Sequence, residues 1–82
     1  MTNDVIQKYI ILNSYSVKEA IEKMQRENIK AVIIVDEHQF LCGLFSNGDM
    51  RNYFLKGGNL NSNICIAMNK NPKVYYSIEQ FE

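Results

Sequence analysis

Phe40-Leu41-Cys42-Gly43-Leu44-Phe45-Ser46-Asn47-Gly48-Asp49-Met50-Arg51 is the stretch on which the fold turns. It reads as a strand running through a tight turn into a helix. Phe40 to Phe45 is apolar apart from Gly43, and short enough for a buried strand. Ser46 stands three residues before Asp49, the spacing of a helix-start capping pair. Met50, Tyr53 and Phe54 then follow at the i, i+3, i+4 period of a helix with one buried face.

A helix opening at the end of a strand has chemical consequences. Its first backbone N–H groups lack partners and carry partial positive charge. With the small Gly48 in the turn, a phosphate can approach the backbone closely. The Ser46 hydroxyl and the Asp49 carboxylate then lie on one side, placed to hold sugar hydroxyls. The alternative is that Ser46 only caps the helix and Asp49 only complements its dipole.

Working back from this stretch, Asp36-Glu37-His38-Gln39 is a polar turn that returns the chain antiparallel. His38 lies in it as a solvent-exposed residue. Ala31-Val32-Ile33-Ile34-Val35 is continuously apolar and mostly β-branched, which suits a central strand covered on both faces. Ser16-Val17-Lys18-Glu19 is a capping box. Val17, Ala20, Ile21 and Met24 continue it with helical period, and Asn28 ends the helix near a left-handed position. Tyr9-Ile10-Ile11-Leu12 is a first strand, broken by Asn13-Ser14-Tyr15, and Met1 to Lys8 form a loose lead-in. Downstream, Gly57-Gly58 stops the second helix. The order is β-α-β-β-α over residues 9–56, an α+β fold with the first crossover right-handed if its strands are parallel.

Composition narrows the function. The chain has 82 residues, enough for one small domain with a thin core. Its 9 basic and 9 acidic residues cancel, which argues against nucleic acid or an anionic membrane as a partner. No apolar run approaches the ~18 residues that span a bilayer, and no leader pattern opens the chain. Cys42 and Cys65 are neither a C-x-x-C pair nor joined by a second histidine. They read as buried free thiols, consistent with a reducing cytoplasm. No nucleophile–base set, metal cluster or paired carboxylates can be assembled, so this chain reads as a non-enzyme that requires no cofactor.

The run Val35-Asp36 through Arg51 resembles the signature of the cystathionine-β-synthase (CBS) domain family. That signature is a hydrophobic strand ending in V-D, a short polar turn, then h-x-G-h-h-[ST]-x-G-D-h-R. Asn47 departs from it, since close relatives carry Asp there. The resemblance implies the CBS βαββα motif, a small mixed sheet with two helices on one side. It implies that Ser46 and Asp49 contact the ribose or phosphate of an adenosine nucleotide, with Gly48 and Asn47 beside them. An apolar slot for the base would come from Ala31, Val32 and the turn holding Ser14. The ligand stays open among AMP, ADP, ATP and S-adenosylmethionine.

Tyr15-Ser16-Val17-Lys18-Glu19-Ala20-Ile21 is echoed by Tyr76-Ser77-Ile78-Glu79-Gln80-Phe81-Glu82. Lys73-Val74-Tyr75-Tyr76 before the echo reads as a strand, and Ile64, Ala67 and Met68 have the spacing of a short helix. CBS motifs come in tandem at about this distance. The resemblance therefore divides the chain into one complete motif, residues 1–59, and the beginning of a second, truncated motif, residues 60–82. The chain is expected to be a piece of a longer protein. Leu55-Lys56-Gly57-Gly58 and Met68-Asn69-Lys70-Asn71-Pro72 most resemble the CBS pair of bacterial sugar nucleotidyltransferases. Two functions follow: a regulatory module binding an adenosine nucleotide, or a ligand-free structural module of the same parent. Either way, an apolar sheet half-covered by one motif predicts a homodimer.

Overall fold

A computed structural model of the chain describes residues 7–70. Strand β1 is Ile10–Leu12, helix α1 Val17–Glu27, strand β2 Ala31–Val35 and strand β3 Leu41–Ser46. Helix α2 is Asn47–Leu55 and helix α3 Ile64–Ala67. The strands form one sheet in the order β1-β2-β3, with β1 parallel and β3 antiparallel to β2. This is the expected small mixed βαββα arrangement. The stretches Met1–Ile6 and Asn71–Glu82 lie outside the described residues, and with them most of the lead-in, the Lys73–Tyr76 strand and the second Tyr-Ser echo.

The local signals act as their chemistry dictates. At the head of α1 the Glu19 N–H donates to the Ser16 hydroxyl at 3.1 Å, and the Ser16 N–H donates to the Glu19 carboxylate at 2.8 Å. Asn28 closes the helix in the left-handed region, φ 56° and ψ 47°. In the β2–β3 turn the Asp36 carboxylate accepts from the His38 and Phe40 N–H groups at 2.8 and 3.0 Å, with Gln39 at φ 72°. Gly57, at φ 89°, ends α2.

The core lies on one face of the sheet. Ile11, Val32, Ile34 and Phe45 pack there against Val17, Ala20 and Met24 of α1 and Ile64 of α3. Val32, Ile34 and Phe45 are fully buried, and the register places Val32 opposite Phe45 and Ile11 opposite Ile34. The other face carries two cross-strand rows, Ile10–Ile33–Leu44 and Leu12–Val35–Leu41. All six are apolar; Val35 is buried, but none of the six belongs to the core cluster under α1 and α3. The strand β2 is thus central and apolar on both faces, with described helices covering one.

Four details differ from the sequence reading. The strand β3 runs Leu41–Ser46, because Phe40 is held in the turn and is 69 % exposed. Gly48 sits inside the first turn of α2, since Ser46 as N-cap starts the helix at Asn47. No residue of α2 is fully buried. The helix lies along the edge strand β3, where only Met50 and Tyr53 reach the core. Finally, Cys42 and Cys65 are free but half-buried. Ile34 pairs with Gly43 and Val35 with Leu41, so Cys42 is the extra residue of a β-bulge.

Residues 60–69, which begin the second motif in the sequence reading, dock against the first. The Val17 and Lys18 N–H groups donate to the Ser62 and Leu60 carbonyls at 2.8 and 2.9 Å, and the Ile64 N–H donates to the Tyr15 carbonyl at 2.8 Å. Ile64 is fully buried.

Candidate functional site

The β3–α2 junction folds as a second capping box. The Asp49 N–H donates to the Ser46 hydroxyl at 3.3 Å, and the Ser46 N–H donates to Asp49 Oδ2 at 2.9 Å. The Ser46 hydroxyl also donates to the same Oδ2 at 3.0 Å. These residues meet because a capping residue and the third helical residue lie on one side of the first turn. One carboxylate oxygen is therefore committed to the helix start, and Oδ1 has no hydrogen bond among the described residues.

The register of the β2–β3 hairpin sets what surrounds this junction. Ala31, the first residue of β2, pairs with Ser46, the last of β3. The Asn47 N–H donates to the Lys30 carbonyl at 3.1 Å, which ties the head of α2 to the entry of β2. A cleft of about 640 Å³ opens there, between Lys8 and Tyr9, the Asn28-Ile29-Lys30-Ala31 segment, and Ser46-Asn47-Gly48. Tyr9, Ile29 and Ala31 make its apolar part, and Lys8 and Lys30 its charged part. The Lys8 ammonium lies 5.5 Å from the centre of the Tyr9 ring. Of the first three α2 amides, that of Asn47 is used by Lys30 and that of Asp49 by Ser46. Gly48 alone of the three has no partner for its N–H among the described residues, and a Cβ there would meet nothing closer than Ser46 Oγ at 3.7 Å.

Four of the residues named from sequence, Ser46, Asn47, Gly48 and Ala31, thus line one cleft. Asp49 borders a different hollow of about 280 Å³, beside Asn52, Tyr53, Lys56 and Ala67. It reaches the cleft only through its bonds to Ser46. Val32 is not at the cleft, because one step along the strand turns its side chain into the core, where it is fully buried. Ser14 is also remote, since it follows Leu12, which pairs with Val35 at the opposite end of β2 from Ala31.

Lys8 and Lys30 were missed by sequence reasoning. The available signal was the hairpin register, which puts Ala31 opposite Ser46 and so brings its neighbour Lys30 to the helix start. Lys8 arrives only through the parallel β1–β2 pairing, in which the Ile33 N–H donates to the Tyr9 carbonyl at 2.6 Å.

Elsewhere the titratable groups do not converge. Among the described residues, no three His, Cys, Asp or Glu side chains come together to hold a metal. Partial burial pushes the Cys42 thiol above its ordinary pKa, and nearby Asp36 and Cys65 push it the same way against a hydrogen bond from Asn13. A thiol so shifted is a weak nucleophile. His38 sits exposed in its turn. No described helix is long and apolar enough to cross a membrane.

Comparison with known proteins agrees with this architecture. An uncharacterised Helicobacter pylori protein is 31% identical over 70 residues, which are 85% of this chain and 21% of that protein. The chain thus spans about a fifth of the length of the curated relatives it matches. A CBS-domain containing protein of Agrobacterium tumefaciens superposes with a TM-score of 0.72 at 25% identity, over 76% of this chain and 48% of that one. A Pyrobaculum aerophilum CBS domain protein, solved in complex with AMP, superposes with a TM-score of 0.68 at 7% identity, over 88% of this chain and 62% of that one. The model of the CBS domain family matches residues 1–56, the segment holding the whole βαββα unit, and the chain belongs to the CBS domain family.

Proposed function

We propose that this chain is a regulatory module that binds an adenosine nucleotide of the AMP or ATP type, as part of a sugar nucleotidyltransferase. The observation that carries the reading is the cleft at the head of α2. It is lined by apolar Tyr9, Ile29 and Ala31, by Lys8 and Lys30, and by Gly48, whose N–H has no partner among the described residues. The adenine packs against Tyr9, Ile29 and Ala31. The Ser46 hydroxyl meets the ribose, positioned by Asp49, and the phosphate sits over Asn47 and Gly48 near the helix N-terminus. The AMP complex of the fold neighbour supports the ligand class.

The nucleotidyltransferase parent rests on the Leu55-Lys56-Gly57-Gly58 and Met68–Pro72 likenesses. Two unpaired cysteines suit a cytoplasmic parent. Residues 1–59 form the first motif and 60–82 the beginning of the second, so the docking of 60–69 joins two consecutive motifs.

A second reading has its own observation. The six apolar side chains on the outer face of the sheet favour a structural module that pairs with a second copy as a homodimer. Calorimetric titration of the chain with AMP and ATP separates the two readings. Saturable one-site binding is the expected result, and no heat with either nucleotide favours the structural module.

A further inference from the structure

We propose that Cys42 of β3 and Cys65 of α3, whose thiols both contact Asn13, are an oxidation site: a peroxide joins them in an intrachain disulfide that fastens residues 60–69 to the sheet.

The fold brings together the only two cysteines of the chain. The Asn13 side-chain amide donates to Cys42 Sγ at 4.0 Å, and the Cys65 thiol donates to the Asn13 carbonyl at 3.6 Å. Both side chains are half-buried and pack against the same core. The thiols are near enough for Cys65 to help raise the pKa of Cys42.

Each cysteine sits where the backbone can give. Cys42 is the extra residue of the β-bulge, so a shift there breaks no cross-strand pairing of its own. Cys65 lies in the single turn of α3. Bond formation displaces the contacts that the two thiols make to the Asn13 and Phe40 carbonyls. Neither carbonyl is orphaned, because Asn63 Nδ2 still donates to Asn13 at 2.9 Å and the Asp36 N–H to Phe40 at 3.0 Å.

The reaction balances with hydrogen peroxide as the oxidant. The Cys65 thiolate attacks one peroxide oxygen, the O–O bond breaks, and Cys65 becomes a sulfenic acid with release of water. Cys42, a weak nucleophile at neutral pH, acts second. Its thiolate attacks the sulfenic sulfur, the S–O bond breaks, and the oxygen leaves as a second water while the S–S bond forms. The two thiols give up two electrons and two protons, and the peroxide takes up both. A small thiol such as glutathione reverses the step by thiol–disulfide exchange. The bond closes the loop from 42 to 65, which restricts the unfolded chain, and turns the docking of residues 60–69 from packing into a covalent tether.

The test treats the 82-residue chain with hydrogen peroxide. The expected product is a single chain lighter by two hydrogens, with peptides around 42 and 65 cross-linked. Its thermal midpoint should rise by roughly 10 °C and fall back with dithiothreitol. Pairing should be faster in native buffer than in urea, because the fold supplies the proximity. A Cys42→Ser variant should hold Cys65 as a sulfenic acid that dimedone traps, while Cys65→Ser should leave Cys42 open to alkylation. Pairing no faster in native buffer than in urea, disulfides only between chains, both thiols still alkylated after peroxide, or an unchanged thermal midpoint each overturns the proposal.

Discussion

Leu44 and Asn69 exchange backbone hydrogen bonds in both directions. The Asn69 N–H donates to the Leu44 carbonyl at 2.6 Å, and the Leu44 N–H donates to the Asn69 carbonyl at 3.0 Å. The pair acts as a one-residue extra strand on the open edge of β3, and it satisfies backbone groups that an edge strand otherwise leaves unpaired. It brings Met68 and Asn69 so near β3 that the adjacent Gly43 has no room for a side chain.

Gly43→Ala tests that closure. An added Cβ would stand 2.8 Å from Met68 Sδ and 2.9 Å from the Asn69 carbonyl oxygen. The methionine can move, but the backbone oxygen cannot move without breaking the Leu44 pairing. A loss of about 1–3 kcal/mol is expected in urea unfolding. Unchanged stability would mean that residues 68 and 69 separate from the edge at little cost.

Ile64→Ala tests whether residues 60–69 share the core of the strands and helix that precede them. Ile64 is fully buried among core residues of α1 and the sheet. Truncating it should cost about 2–5 kcal/mol. Exposed Ile66→Ala, two residues on, should cost less than about 0.5 kcal/mol. Equal thermal midpoints for the two variants would contradict the docking.

Ser46→Ala removes the acceptor of the Asp49 N–H, and should lower stability by about 1 kcal/mol. Asp49→Ala should cost a similar amount, because the carboxylate accepts from both Ser46 groups. If Asp49 also orients Ser46 toward ribose, its loss should weaken nucleotide affinity by about 1.5–3 kcal/mol. Titration of the folded variant reads this directly, and unchanged affinity would remove Asp49 from the site.

Gly48→Ala separates ligand binding from folding. The protein leaves space at Gly48, with Ser46 Oγ the nearest contact at 3.7 Å. Alanine also suits a helix better, so stability should hold or rise by up to about 1 kcal/mol. On the proposed reading of the cleft, the methyl group would nevertheless crowd a phosphate at the Gly48 N–H. Nucleotide binding should weaken by more than about tenfold, and full affinity would place the phosphate elsewhere.

Ile33→Glu tests the outer face of the sheet. Ile33 is central there, between Ile10 and Leu44. If the proposed homodimer forms through this face, light scattering of the native chain should report about twice the 9.5 kDa chain mass, and a carboxylate at this position should return it to the single-chain value. A native chain that stays monomeric at high concentration would show that this face needs no partner.

The elements that could be read from sequence are those whose causes lie within a few consecutive residues. Both capping boxes, the left-handed Asn28, the β-branched run of β2 and the glycine stop of α2 are of this kind. Each is fixed by hydrogen bonds or steric limits spanning less than one helical turn or one hairpin. The pairing of Ser46 with Asp49 was legible for the same reason.

Tertiary structure alone decided where the side chains of those elements point and what faces them. Adjacent strand residues face opposite ways, so Ala31 borders the cleft while Val32 is sealed in the core. The parallel pairing of β1 with β2 carries Lys8 toward the head of α2 and Ser14 away from it. The orientation of α2 against β3 sends Asp49 to a hollow of its own. Residues 60–69 pack against the strands and helix that precede them, with Ile64 buried in the same core. Each of these outcomes depends on contacts between residues far apart in the chain, and the register of those contacts is set by the packing of the whole domain.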